Sequence, residues 1–174
     1  MFLNPDEHRE EFGLREGDTV ADLGAGSGAY AFLAAEAVGE TGKVYAIDVQ
    51  RDFLPNIKNS ALSRGLKNVE VMWGDFEVPG GSGLRDGIAD AVILANTLFQ
   101  LDDKEGAVKE AKRILKQGGK LIVIDWEDSF GNMGPSKSAV VKKSEAVELF
   151  RSAGFIFAKD IPAGEYHYGL LFHV

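Results

Sequence analysis

Short apolar runs recur along the chain, separated by segments with helical spacing. Residues 19–23, 43–48, 69–73, 89–94 and 121–124 are near-continuous apolar stretches of strand length, as expected of strands buried on both faces. Between them, 51–64 carries Phe53, Leu54, Ile57, Ala61 and Leu62 at helical spacing. Residues 103–115 place Ala107, Val108, Ala111, Ile114 and Leu115 on one face. Residues 28–38, rich in alanine, and residues 144–153 read as further helices, the latter with Ser144 as a cap. Gly65, Gln117-Gly118-Gly119 and Gly154 mark turns. Residues 77–88 are rich in Gly and Pro, which predicts a crossover made mostly of loop. Residues 155–161 and 166–174 flank the turn Pro162-Ala-Gly-Glu165 and read as two antiparallel strands. In the second, Tyr166, Tyr168, Leu170 and Phe172 share one face, and His167, Gly169, Leu171 and His173 share the other. One or two of these rings are placed to border a substrate mouth, with core packing as the ordinary role.

This alternation predicts an α/β fold with a parallel sheet covered by helices on both faces and an antiparallel last strand. No repeat, linker or low-complexity segment interrupts it, so 1–174 reads as one domain. Two segments stand outside the pattern. Residues 2–12 suggest a short helix, with Asn4 as cap, Pro5 at its first position and Asp6 and Glu7 at its positive end. Residues 126–141, with Gly131, Gly134 and Pro135, form a loop of lid-like length.

Composition narrows the classes. The 19 Lys plus Arg against 27 Asp plus Glu give a net charge of −8, which repels a phosphate backbone unless the basic residues cluster. The densest basic set, Lys109, Lys112, Arg113 and Lys116, is interleaved with Glu105 and Glu110 and reads as a solvated helix face. Nucleic acid is therefore not expected as a partner. There is no cysteine, which removes disulfides and thiolate chemistry. No apolar run approaches a membrane span, and the N-terminus lacks the basic and apolar regions of a signal peptide. A cytoplasmic location is the expectation. Oligomeric state is left open.

The candidate chemistry lies at Asp22-Leu-Gly24-Ala25-Gly26-Ser-Gly28. A strand ends there in glycines at every second position and a helix follows. Such a turn brings backbone N–H groups and a helix N-terminus to a ligand. Gly24-x-Gly26-x-x-Ala29 satisfies the dinucleotide fingerprint, with Asp48 at the distance of a ribose-binding carboxylate. Asp22 points elsewhere. A carboxylate beside the turn repels pyrophosphate but suits the cationic amino-acid end and sulfonium of S-adenosylmethionine (SAM). A nicotinamide dinucleotide is the rival ligand.

The stretch resembles the Asp/Glu-x-Gly-x-Gly-x-Gly motif of class I SAM-dependent methyltransferases, closest to the small-molecule branch that includes the ubiquinone/menaquinone-type enzymes. Asp48, Gly74-Asp75-Phe76 and the run from Leu115 through Gly118-Gly119 into the fifth strand fall in that family's order. The resemblance covers 19–174. It implies a Rossmann-like doubly wound sheet of seven strands, mostly parallel with the last antiparallel. It further implies a cofactor site of Asp22, Gly24, Ala25, Gly26, Gly28, Asp48, Val49, Gly74, Asp75, Phe76 and Asn96. There Asp48 takes the ribose hydroxyls, Asp75 the adenine amino group, and Val49 and Phe76 flank the ring.

Methyl transfer from a sulfonium needs alignment and exclusion of water, and a base only if the acceptor arrives protonated. The sequence accordingly carries no strong catalytic motif. Asn96, Asp125 and Tyr30 are the candidates: Asn96 beyond strand four, Asp125 as a base or a solvated loop acid, Tyr30 in the first helical turn. No metal is expected, since the spacing of Asp125, Glu127 and Asp128 is unremarkable. The expected activity is methyl transfer to a small, fairly apolar molecule. A SAM-binding partner subunit without catalysis is the alternative.

Overall fold

The computed structural model describes residues 10–131 and 133–174. Most of the helix expected over 2–12 lies outside the described residues. Only a 3-10 turn at 10–12 is seen, and it delivers Phe12 into the core.

The elements follow in the order β1 (Thr19–Leu23), α1 (Ala29–Val38), β2 (Lys43–Asp48), α2 (Phe53–Ser63), β3 (Val69–Trp73), β4 (Ala89–Ala95), α3 (Lys104–Ile114), β5 (Leu115–Trp126), α4 (Lys143–Ser152), β6 (Ile156–Ile161) and β7 (His167–His173). They form a single seven-stranded sheet ordered β3-β2-β1-β4-β5-β7-β6. β1 to β5 pair in parallel, and β7 runs antiparallel between β5 and β6. From β1 the chain winds outward to β3, then returns to lay β4 beside β1 on its other side. The order reverses there, and such a switch point opens a crevice at the carboxyl ends of the strands.

Side-chain alternation divides the core into two layers. One layer takes Ala21, Leu23, Val92, Leu94, Leu121, Val123, Tyr168, Leu170 and Phe172 against α3 and α4. The other takes Val20, Val44, Ala46, Ala91, Ile93, Ala95, Ile122, Ile124 and Leu171 against α1 and α2. The faces expected of β7 are the ones observed.

Three local expectations are corrected. The turn at Gln117–Gly119 does not precede β5. It lies inside it as an irregularity between the pairs Ala89–Leu115 and Ala91–Lys120, with Gly118 at φ 75°. Ser144 does not cap α4: the helix begins at Lys143, and the Glu145 carboxylate accepts the Lys142 N–H at 3.1 Å. Nor is the charged side of α3 a solvated face throughout. Glu110 is 1% exposed, and its carboxylate accepts the N–H groups of Gly80 (2.9 Å) and Ser82 (3.1 Å) and the Ser82 hydroxyl (2.5 Å). Arg113 completes the cluster, donating to Glu110, to the Leu84 carbonyl at 2.8 Å and to Asp86. The crossover at 77–88 is loop, as expected, and this cluster ties it to α3.

Candidate active site

β1 ends at Leu23 and the chain turns through Gly24, Ala25 and Gly26 into α1. Gly24 and Ala25 donate to the Ile47 carbonyl at 2.9 and 3.0 Å, which holds the turn over the end of β2. Asp48, the last residue of β2, reaches back. Its Oδ2 accepts the Gly26 N–H and its Oδ1 the Gln50 N–H, both at 2.8 Å. Gly24 sits at φ 80°, and a Cβ there would come within 2.4 Å of the Thr97 methyl. At Gly26, φ 51°, a Cβ would meet nothing nearer than 4.0 Å, so this backbone is open on its cleft side.

The turn forms one wall of a cleft of about 590 Å³. Asp22, Gly24, Ala25, Gly26, Asp48, Val49, Asp75, Phe76, Asn96 and Tyr30 all line it. Three expected residues do not. Gly28 caps α1 at φ 83°, and its open side faces Phe32 and Ile57. Gly74 is packed against the Gly81 carbonyl and Ile47, where a Cβ would come within 2.7 and 2.9 Å. Both glycines allow close packing of the scaffold. Asp125 is neither a solvated acid nor a cleft residue. It is 1% exposed and accepts the N–H groups of Leu98 and Trp126, each at 2.8 Å. Its side chain belongs to the α3 face of the sheet, opposite the face that carries Asp22. It organises the segment after β4, and burial raises its carboxyl to about 6.

Leu101 after β4, Phe53 at the start of α2 and Trp126 carry no site role in the sequence reading, Thr97 and Gln100 enter it only as neighbours of Asn96 beyond strand four, and His167 only as one of the β7 rings placed to border a substrate mouth. All of these line the cleft. For Thr97, adjacency to Asn96 was the available signal. Trp126 and His167 are paired in register between β5 and β7, with ring centroids 4.3 Å apart. Phe130 extends the group, 6.5 Å from Trp126 and 4.8 Å from Tyr166.

Five side-chain polar atoms among the described residues are buried without a hydrogen-bond partner: Asp22 Oδ2, Tyr30 OH, Asn96 Oδ1, Thr97 Oγ1 and His167 Nε2. All five belong to residues of this cleft. Leaving such groups unpaired costs about 1–3 kcal/mol each, a cost a polar ligand removes. Asn96 is also the sole non-glycine residue at positive φ among those described, at 57°. Asparagine tolerates this conformation, and such backbone strain concentrates at functional sites.

The charge of the site is shifted by its surroundings. Burial raises the Asp22 carboxyl to about 7, and the Asp48 charge adds to this, while a hydrogen bond from the Ala31 backbone opposes it. Burial, with the Asp22 charge, pushes the Tyr30 phenol up, so it stays protonated. Burial lowers His167 below its ordinary value.

The profile of the methyltransferase domain family matches residues 14–161. Aklanonic acid methyltransferase DauC of Streptomyces sp. (strain C5) is 35% identical over 105 residues, covering 60% of this chain and 46% of that protein. The ubiquinone/menaquinone biosynthesis C-methyltransferase UbiE of Klebsiella pneumoniae is 31% identical over 154 residues, 85% of this chain and 57% of that protein. The crystal structure of a SAM dependent methyltransferase from Aquifex aeolicus superposes with a TM-score of 0.90 at 32% identity, covering 99% of this chain and 90% of that one. The chain spans about half the length of the curated relatives it matches. It belongs to the class I SAM-dependent methyltransferases. Of the two ligands its glycine turn leaves open, SAM is the cofactor.

Proposed function

We propose that the chain catalyses methyl transfer from SAM to a small, fairly apolar acceptor. The observation that carries this reading is the convergence of the five unpartnered buried polar atoms found among the described residues on one cleft whose far end is aromatic. Two relatives are named for aklanonic acid and for ubiquinone/menaquinone biosynthesis, which supports a small acceptor. Among the described residues, no helix is long and apolar enough to cross a membrane.

The cofactor's parts match the cleft in order. Each Asp48 oxygen accepts one backbone N–H and keeps a second lone pair, enough for two ribose hydroxyls. Val49 and Phe76 flank the adenine and Asp75 takes its amino group. The backbone of Gly24, Ala25 and Gly26 admits the methionine part, and the free oxygen of Asp22 meets its ammonium group. Bound SAM supplies an electrophilic methyl group that needs no acid to activate it. What remains for the protein is to align the acceptor, exclude water and manage the acceptor's proton.

The Asp22 assignment has a pH signature. With its carboxyl at about 7, Asp22 is largely protonated at pH 6 and ionised at pH 8. The ionised form attracts the ammonium group, so SAM affinity rises by about tenfold from pH 6 to 8, and binding at pH 7 releases about half a proton. Calorimetry in buffers of different ionisation heat measures both. Asp22→Asn binds more weakly and loses both the pH dependence and the proton release.

The reading itself is tested by following S-adenosylhomocysteine release with pools of small metabolites, nucleic acids and proteins as acceptors. Release with a small-molecule pool is expected. Release with nucleic acid or protein alone contradicts it, and tight SAM binding with no release from any pool identifies a non-catalytic subunit.

A further inference from the structure

The described residues lining the cleft include four carboxylates, Asp22, Asp48, Asp75 and Glu77, and neither lysine nor arginine. The described lining thus offers no cation to hold an anionic acceptor, which favours an acceptor that enters neutral and still carries its proton. A neutral hydroxyl is a weak nucleophile, and its proton must leave as the new bond forms.

Most titratable groups of the cleft are already committed. Asp48 holds two backbone N–H groups, Asp75 holds that of Glu77, and Glu77 holds that of Asp103. Asp22 serves the cofactor's cation, and Tyr30 stays protonated. His167 remains. Its Nε2 is buried without a partner. Its ring is fixed against the Trp126 indole at 4.3 Å and 41°. The indole in turn packs on Gly134, where a Cβ would come within 2.6 Å of it. The neighbouring Asp125 and Tyr168 project from the opposite face of the sheet, while Glu127 and Tyr166 join through a backbone hydrogen bond of 2.9 Å. Burial lowers the imidazole below its ordinary value and so favours its neutral form, which as the Nδ1–H tautomer carries a lone pair on Nε2.

We propose that His167 is the general base of the reaction and that the acceptor is a neutral planar hydroxyl compound, a phenol or enol, laid against Trp126. This rests on the small-acceptor reading above. The His167 Nε2 lone pair takes the hydroxyl proton. An electron pair of the acceptor oxygen, or of the carbon conjugated to it, bonds to the methyl carbon. The carbon–sulfur bond breaks and its pair stays on sulfur, which becomes a neutral thioether. The imidazolium then passes its proton to water. A phenolic hydroxyl, with a pKa of about 10, is within reach of such a base, whereas a simple alcohol is not.

The test compares wild type with His167→Gln, with His167→Asn as a second variant should glutamine disturb the fold. In the first arm, 4-nitrophenol is titrated into the S-adenosylhomocysteine complex, where no turnover occurs, and phenolate absorbance is followed against pH. Wild type ionises the bound phenol at lower pH than either variant. In the second arm, SAM is saturating and phenols of graded acidity are the acceptors. The variants lower kcat by about a hundredfold for weakly acidic phenols, with SAM affinity retained and the acid limb of the kcat profile lost. The defect shrinks for 4-nitrophenol, which needs less help to ionise. Equal ionisation of the bound phenol, failure of wild type to bind it, or a rate defect independent of phenol acidity overturns the proposal. Turnover of small amines but no hydroxyl compound also overturns it and leaves the small-acceptor reading standing. No turnover of any small molecule overturns both.

Discussion

Replacing Glu110 with alanine lowers the unfolding free energy by about 3 kcal/mol, the low end of what is lost when one partner of a buried ion pair is removed. Glu110 is fully buried while Arg113 is partly exposed, so Arg113 recovers some hydration. The variant also leaves the Gly80 and Ser82 N–H groups without their acceptor, and the crossover at 77–88 loses its tie to α3. The hydrogen bonds of Arg113, Ser82, Gly80 and the Ser82 N–H outweigh the cost of burial and lower the Glu110 carboxyl to about 2. A depressed carboxylate contributes its full stability above its unfolded value of 4.5 and loses it as pH falls from there to about 2. Urea unfolding of wild type and Glu110→Gln from pH 7 to 2.5 checks this. Wild type loses stability more steeply below pH 4.5, and the two curves converge. Parallel curves would contradict the assignment.

Asp48→Ala weakens SAM binding by about 1–3 kcal/mol, roughly a tenfold to hundredfold loss. Two effects add. The ribose hydroxyls lose a charged acceptor, and the Gly26 N–H loses the bond that holds the turn to β2. Asparagine recovers little, because its amide NH₂ must face either the Gly26 or the Gln50 N–H. Calorimetric titration of both variants with SAM measures the loss. Unchanged affinity in Asp48→Ala would mean that the ribose is held elsewhere.

Much of this was legible in the sequence because the candidate cofactor-binding residues follow strands. β1, β2 and β3 begin and end where their apolar runs do, so the sequence alone places Asp22, Asp48 and Asp75 at the carboxyl edge of the sheet. What was not legible depends on which face a side chain takes. The second half of β5 is apolar up to Asp125, since both its faces are buried there, and nothing in Leu-Ile-Val-Ile-Asp-Trp marks one face as the cleft side. The register decides it. Asp125 falls on the α3 face, and its neighbour Trp126 falls on the cleft face beside His167. His167 stood among the rings placed to border a substrate mouth, but its pairing with Trp126 was hidden, because an antiparallel return strand brings the two together from 41 residues apart in the chain. Gly28 and Gly74 show a different limit: spacing reveals where glycine is needed, but only packing shows whether its bare side meets a ligand or a phenylalanine. Glu110 looked solvated because its partners lie on a loop without periodicity.

The central claim is the polarity of the cleft, with the adenosine end at Asp48, Val49 and Phe76 and the reacting end at Asn96, Trp126 and His167. A crystal structure of the chain with S-adenosylhomocysteine tests it most directly. The expected result has both ribose hydroxyls on Asp48, the amino group on Asp22, and the thioether sulfur facing Trp126 and His167. A ligand lying the other way along the cleft, or one that leaves Asp48 and Asp22 untouched, would contradict it.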